Sequence, residues 1–255
     1  PGGTNAITGL LGMWTDSIPS IIVSGQVSKS QLSRGTGCRQ IGDQEYNILE
    51  SVSPMTKYCV MIEDPNDVPH ELEKAYKIAT SGRPGPVWVD IPLDVQGAKI
   101  DEYVFEKDGK IDIDTSDIDE RYINNVVDLI SKSKKPLFIV GNGVRLSDSY
   151  ELFSEILNRC EIPVVTGPHS GVDCVDNTYK YYAGRIGILG QLTSNKIVQE
   201  SDLLICLGTR LPVKMTGYDV KSFSPKSKKV IVDIDENEIN KHKFDIDIKI
   251  NADLN

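Results

Sequence analysis

The residues best suited to chemistry lie in glycine-rich turns and after predicted strands. Residues 1–5 (PGGTN) open a helical pattern, and backbone N–H groups at a helix start favour anions, although an ordinary turn would have the same sequence. Gly141-Asn142-Gly143 follows a strand pattern, but Leu146 holds the place of the third glycine of a dinucleotide fingerprint, which argues against NAD. His169, in TGPHSG, follows a strand and is placed for a ligand crevice, because open parallel sheets bind ligands there.

The acidic and sulfur-containing residues do not point to a metal site. Candidate calcium loops that begin at Asp112 and Asp233 lack the required glycine at position six. The sequence contains no H-E-x-x-H and no G-x-S-x-G motif. The five cysteines include no C-x-x-C pair, which predicts free thiols in a reducing cytoplasm. The residues alone therefore provide no self-contained catalytic set.

Composition limits the class of protein. The chain has 255 residues, of which 39% are hydrophobic and 25% are charged, as in ordinary globular proteins of one large or two smaller domains. The formal net charge of −9 argues against a nucleic-acid partner. No apolar run approaches the roughly 18 residues of a membrane span.

Short apolar runs alternate with helical patterns, which predicts an α/β fold with parallel sheets covered on both faces. The predicted strands are 20–23, 57–61, 86–91, 137–140, 164–166, 203–207 and 230–234, and the predicted helices are 67–80, 120–131, 147–160 and 195–200. The acid-rich stretch between them predicts one domain over 1–98, a linker over 99–118 and a second domain over 119–255. The opening glycine turn lacks the strand that normally precedes it, so we expect this sequence to be a piece of a longer chain.

Several sequence blocks, in a fixed order, resemble the acetolactate synthase-like branch of the thiamine-diphosphate-dependent enzymes. In the first domain they are PGGTNAITGLLGMWTDSIPSIIVSGQV, SPMTKYCV and ATSGRPGPVWVDIPLDVQ. In the second domain they are IPVVTGPHSGVD, GRIGILGQLTSN, SDLLICLGTRL and VIVDIDENEI. Together they cover nearly the whole chain.

The resemblance implies that residues 1–98 form the latter part of a pyrimidine-binding domain and residues 119–255 a Rossmann-like central domain with six parallel strands. It implies decarboxylation of a 2-oxo acid and transfer of the resulting carbanion to an acceptor, by a homo-oligomer. The cofactors implied are thiamine diphosphate, with Mg²⁺ held by a domain outside this sequence, and FAD in the flavin-containing members. The glutamate that activates the cofactor is expected upstream of Pro1, so no catalytic residue is expected in this chain.

Matching by position assigns functional residues, as far as the resemblance implies them. The cofactor contacts implied are Pro1, Gly2, Asn5, Gln44, Arg83, Gly187, Gly190, Arg210 and Asp233, the last five corresponding to flavin-lining segments. The substrate region takes in Asp43 and Lys57, to which we add His169.

Three departures from the family pattern bear on ligand choice. Phe-Gln-Glu becomes Asp43-Gln44-Glu45, G-M-H-G becomes GILG at 187–190, and R-F-D-D-R becomes RLPVK at 210–214. We therefore expect FAD to bind weakly or not at all, and the substrate to differ, as in paralogues from surface-polysaccharide pathways. The alternative function is a catalytically silent nucleotide-binding or assembly module.

Asp43 itself has three interpretations. A cation could balance its charge, the candidates being Lys57, Arg34 and Arg39. It could instead accept hydrogen bonds from a hydroxylated acceptor, or cap a helix that begins at the next residue.

Overall fold

The chain folds into two compact units in the computed structural model, which describes residues 2–104 and 118–255. The units are Pro1–Ile113 and Asp114–Asn255. Pro1 and most of the predicted linker, residues 105–117, lie outside the described residues. Both units are α/β with parallel sheets, which confirms the predicted fold class.

The first unit has a three-stranded parallel sheet in the order β1-β3-β2. The strands are β1 Ser20–Gln26, β2 Tyr58–Met61 and β3 Pro86–Pro92. The central strand β3 is buried along almost its whole length, which explains its continuous apolar sequence.

Helices cover both faces of this sheet. Because alternate residues of β3 point to opposite faces, they pack against different helices. The helices are α1 Ile7–Thr15, α2 Ile48–Val52, α3 Val68–Thr80 and α4 Leu93–Gln96. On one face Trp88 packs with residues of α1 and α2, including Leu10 and Val52. On the other, Val87 and Val89 pack with the apolar stripe of α3 that the sequence predicted. The two faces of β3 therefore belong to two separate apolar clusters.

The second unit has a six-stranded parallel sheet. Its strands are β4 Pro136–Val140, β5 Val164–Thr166, β6 Tyr182–Arg185, β7 Leu203–Leu207, β8 Lys228–Asp233 and β9 Ile248–Asn251. The order is β6-β5-β4-β7-β8-β9, the arrangement of a Rossmann fold, with its reversal of strand order between β4 and β7.

Two apolar clusters, one on each face, fill the second unit. Its helices are α5 Glu120–Lys132, α6 Gly143–Leu146, α7 Tyr150–Cys160, α8 Leu192–Glu200, α9 Val213–Thr216 and α10 Glu236–Asn240. Phe138 and Phe153 meet edge to face on one side of the sheet, with ring centroids 5.7 Å apart. On the other side Leu204, Cys206 and Ile231 are almost fully buried.

Two strands were not predicted, and two predicted helices begin three residues away from their predicted starts. Helix α8 begins at Leu192, three residues before its predicted start. Strands β6 and β9 are the sheet edges, where one face stays partly exposed and no continuous apolar run forms. The alternation of apolar and charged residues over 245–250 (DIDIKI) is the sequence signal for β9. The helix predicted over 147–160 begins instead at Tyr150, because Asp148 has a positive φ of 59° and breaks the turn after α6.

Candidate functional site

A cleft of about 680 Å³ opens in the first unit where β1 and β3 end. The carboxyl ends of parallel strands are the usual ligand edge of an open α/β sheet. The cleft is lined by Gly2, Gly3, Thr4, Ala6, Ile22, Val23, Ser24, Gly25, Gln26, Val27, Asp43, Gln44, Tyr46, Ile48, Trp88, Asp90, Leu93 and Gln96. Three of the predicted site residues, Gly2, Asp43 and Gln44, thus come together at one place.

The glycine turn forms one wall of the cleft. It is a 3₁₀ turn over Gly2–Ala6 that runs directly into α1. A Cβ on Gly2 would meet open space, whereas one on Gly3 would touch Ile48 and Trp88 at 3.5 Å. The turn therefore rests on an apolar wall and leaves the mouth open. Asn5 is exposed in the same turn.

The floor of the cleft is polar and internally hydrogen-bonded. Asp90 is only 2% exposed and accepts a bond from Ser24 Oγ at 2.6 Å and one from Gln26 Nε2 at 3.1 Å. Burial raises the pKa of the Asp90 carboxyl. Trp88 Nε1 donates to Ser24 Oγ at 2.7 Å. The sequence analysis missed these four residues, although their two-residue spacing in two adjacent parallel strands places all four side chains on one sheet face.

Asp43 and Gln44 occupy a tight turn at the mouth of the cleft. Glu45 N donates to Gly42 O at 3.2 Å, and Gln44 has a positive φ of 60°. The nearest helix, α2, begins at Ile48. The interpretation that Asp43 caps a helix starting at Gln44 is therefore wrong, because the left-handed conformation of Gln44 makes a turn instead. Asp43 is exposed, so its carboxylate faces solvent at the cleft.

Glu45 organises the loop that precedes this turn. Its buried carboxylate accepts the backbone N–H groups of Ser33 and Ile41. These bonds hold the pKa of Glu45 below its ordinary value. Residues 33–40 (SRGTGCRQ), an insert relative to the family pattern that is here called the extra loop, therefore surround one carboxylate instead of forming a core of their own.

The candidate cations for Asp43 lie in different places. Lys57 lies at the amino edge of the sheet, where its Nζ donates to Ile78 O and Ser81 O at the end of α3. Arg34 Nη1 pairs with Glu63 at 2.9 Å. Arg39 is exposed in the extra loop. The structure therefore does not bring Lys57 to the cleft.

Arg83, the candidate flavin contact of the first unit, also lies at the amino edge of the sheet. Its Nε donates to Ser17 Oγ at 2.9 Å, which ties the turn before β3 to the one before β1. Ser17 is buried and has a positive φ of 58°. Arg83 therefore has a structural partner within its own unit. Pro1, also predicted as a cofactor contact, lies outside the described residues.

In the second unit, backbone contacts fill the crevice between β4 and β7, where the strand order reverses. A Cβ on Gly141 would lie 2.2 Å from Gly208 O, and one on Gly143 would lie 2.5 Å from Gly208 Cα. Gly143 N donates to Gly208 O at 3.0 Å. The glycines of the first turn are therefore needed for contact with the chain itself, in the place where a Rossmann fold would admit a dinucleotide.

The four predicted flavin residues of the second unit also contact other residues of that unit. A Cβ on Gly187 would lie 2.2 Å from Lys214 O, and one on Gly190 would lie 2.4 Å from Arg185 O. Arg210 Nε pairs with Glu238 at 3.3 Å. Asp233 accepts the N–H of Asp235 at 3.0 Å, a turn at the end of β8.

Two side chains at this edge matter for a flavin. Leu189 is 65% exposed where the family has histidine, so it offers no hydrogen bond. His169 is exposed in the loop after β5. Of these two side chains, only His169 could offer a hydrogen bond to a ligand.

Neither a metal cluster nor a membrane helix is found in the described ranges, 2–104 and 118–255. No group of three or more His, Cys, Asp or Glu residues there could hold a metal ion. No described helix is both long enough and apolar enough to span a bilayer.

Comparison with known proteins identifies the family. The chain is 37% identical over 247 residues to the acetolactate synthase large subunit of Corynebacterium glutamicum, covering 95% of this chain and 38% of that protein. It is 32% identical over 257 residues to the isozyme 2 large subunit of Escherichia coli, covering 100% of this chain and 44% of that protein. A probable acetolactate synthase large subunit of Methanocaldococcus jannaschii is 33% identical over 246 residues, which cover 95% of this chain and 40% of that protein.

The chain thus spans about two fifths of the length of these relatives. Residues 123–255, which contain the whole six-stranded sheet, match the family described as "Thiamine pyrophosphate enzyme, central domain". This match covers more than half of the sequence, and the chain belongs to the family of thiamine pyrophosphate enzymes.

Proposed function

We propose that the protein carrying this chain decarboxylates a 2-oxo acid with thiamine diphosphate and joins the resulting carbanion to an acceptor. The observation that carries the proposal is the open cleft at the carboxyl edge of the first sheet. It is supported by similarity to acetolactate synthase large subunits over 95% or more of the chain.

The cleft suits the flat heteroaromatic part of the cofactor. Ile22, Ile48 and Trp88 provide an apolar wall, and Gly2 leaves the mouth free of side-chain atoms. When bound, thiamine diphosphate supplies an electron sink for the carbon that loses CO₂. The part of this chain is to hold and orient: the wall excludes water from one side, and Gln44 offers an amide at the mouth.

The proposal assigns cofactor activation and the metal to residues outside this chain. The activating glutamate and the Mg²⁺ ligands would come from other parts of the same protein or from a second copy, so we propose a homo-oligomer in the cytoplasm. Light scattering of the intact protein tests the assembly, and a strictly monomeric active enzyme would contradict it.

We propose that Asp43 directs the choice of acceptor. Its exposed carboxylate lies at the cleft mouth in a turn, where the capping explanation does not apply. A carboxylate there repels an anionic second 2-oxo acid and accepts hydrogen bonds from hydroxyl groups. A hydroxylated acceptor of the kind used in surface-polysaccharide synthesis fits this charge.

We propose further that the enzyme works without flavin. The N–H of Gly187 already donates to Asn195 Oδ1, the N–H of Gly190 already donates to Gly187 O, and Arg210 already pairs with Glu238. A flavin edge left without polar partners would cost roughly 1–3 kcal/mol per group. The purified protein should therefore be colourless, and flavin absorbance in stoichiometric amount would refute this part.

The test of the main proposal is CO₂ release by the intact protein. It should require added thiamine diphosphate and Mg²⁺ and should proceed with pyruvate or another 2-oxo acid. Lack of release with a panel of 2-oxo acids, together with tight binding of ADP, would favour the silent nucleotide-binding module. The contact of Gly141 and Gly143 with Gly208 counts against that module.

A further inference from the structure

One side-chain amide joins the sheet of the first unit to the turn at the cleft mouth. Gln26, the last residue of β1, donates from Nε2 to Asp90 at 3.1 Å and to Tyr46 O at 2.8 Å. Its Oε1 accepts from Val27 N at 3.0 Å. These three bonds, here called the amide latch, connect β3, β1 and the segment that carries Asp43 and Gln44.

The latch admits only one orientation of the amide. Both hydrogens of Nε2 point at oxygen acceptors, and Oε1 faces an N–H group. A rotation by 180° would place oxygen against Tyr46 O and Asp90, and nitrogen against Val27 N. All three bonds would then be lost, so the latch is a fixed joint.

Asp90 determines this geometry from beneath. It is 2% exposed, and its second oxygen is held by Ser24, which is held in turn by Trp88. Asp90 and Trp88 are buried, and hydrogen bonds that satisfy buried polar groups hold those groups rigidly. The turn above is fixed at its other side by Glu45, which binds the N–H groups of Ser33 and Ile41.

We propose that Asp90 is a positioning residue, which acts through Gln26 to fix the turn that presents Asp43 and Gln44 to the ligand. This inference rests on the proposed function for its ligand. It assigns Asp90 no proton transfer. An acceptor atom at this position is what the latch requires, and a negative charge is not.

Four variants separate positioning from a merely structural or catalytic role. Gln26→Leu removes all three bonds of the latch, and Asp90→Ala removes the bond that anchors the latch to β3. Asp90→Asn retains it, because asparagine can direct its oxygen to Gln26 and its NH₂ group to the Ser24 hydroxyl oxygen. The control is Ser24→Ala. It removes the neighbouring bonds to Asp90 and Trp88, and so a polar group of the cleft floor, but leaves all three bonds of the latch.

The first measurement is amide hydrogen exchange in the intact protein, which needs no activity. Val27 N–H and the segment 41–46 should exchange about tenfold faster in Gln26→Leu and Asp90→Ala, the factor that one hydrogen bond to a charged group supplies. Asp90→Asn and Ser24→Ala should exchange as the parent does. Unchanged exchange in Gln26→Leu, or fast exchange in Asp90→Asn, would overturn the proposal.

The second measurement is kinetic. The concentration of thiamine diphosphate at half-maximal rate, or the KM of the acceptor, should rise about tenfold in Gln26→Leu and Asp90→Ala with kcat changed much less. Asp90→Asn should restore the parent values, whereas loss of kcat in Asp90→Asn would show that Asp90 transfers a proton and refute the assignment. A parent without activity but with latch-dependent exchange would refute the proposed function alone.

Discussion

Lys57 has different roles in the sequence analysis and in the structure. The family resemblance assigns it to the substrate region, whereas in the structure it binds the end of a helix. Its ammonium group donates to Ile78 O and Ser81 O at 2.5 Å each, at the carboxyl end of α3. Its stem lies against the turn at Gly85, where an added Cβ would lie 3.1 Å from Lys57 Cδ. We therefore predict that Lys57→Met destabilises the first unit without weakening substrate binding.

The magnitude follows from these contacts. Two hydrogen bonds from a charged donor are worth about 1.5 kcal/mol each, and the interaction with the helix dipole adds about 0.5 kcal/mol. Burial lowers the pKa of Lys57 and so offsets part of the gain. The net loss should be about 2 kcal/mol, since methionine keeps the apolar stem and leaves the carbonyl groups without the ammonium.

Tryptophan fluorescence provides the assay, because the two tryptophans, Trp14 and Trp88, both lie in the first unit. With a slope of about 2 kcal/mol per molar, the urea midpoint should fall by about 1 M. The control is Lys99→Met, an exposed lysine of the same unit, which should change stability by less than about 0.5 kcal/mol. An unchanged midpoint in Lys57→Met, with a raised KM for the 2-oxo acid in the intact protein, would refute this reasoning and return Lys57 to the substrate site.

Four further predictions concern other parts of the chain. Burial lowers the pKa of His242 to about 4, below its unfolded value of about 6.5, so the unfolding free energy should fall by about 2 to 3 kcal/mol between about pH 8 and pH 4.5 as the unfolded chain takes up the proton; circular dichroism should show a flatter profile for His242→Gln, and identical profiles would contradict the argument. Gly141→Ala places a methyl group 2.2 Å from Gly208 O and should destabilise the second unit by about 3 kcal/mol or more, measured by urea unfolding against Gly12→Ala in α1, where φ is not positive and no atom lies within 4 Å of the added Cβ; equal losses would argue against the contact. Asp43→Phe in the intact protein should shift kcat/KM about tenfold (~1.4 kcal/mol) toward condensation of two pyruvates, whereas an unchanged substrate ranking would end the selectivity proposal. The 255-residue chain alone should release no CO₂ from pyruvate with thiamine diphosphate and Mg²⁺, and measurable release would show that it contains the catalytic set.

The elements that were predictable from the sequence are those whose apolar residues are continuous or recur with the period of a helix or strand. Strand β7 and helix α3 follow directly from continuous or periodic apolar residues. The position of Gln44 in the cleft came from a family resemblance, since periodicity does not reveal a left-handed turn. The latch could not be predicted, because it depends on the register that places Ser24 opposite Asp90. Lys57 was misleading for a related reason: its carbonyl partners lie more than 20 residues away in sequence.

The contact between Gly141, Gly143 and Gly208 has a consequence for how such sequences are interpreted and engineered. A Cβ on any of these three glycines would meet the backbone of another of them. No one of the three positions can therefore be substituted alone. The spacing that suggests a nucleotide fingerprint here encodes a seam between two backbone segments. A nucleotide site could not be introduced at this seam by side-chain replacement, because the loop after β7 would first have to be rebuilt.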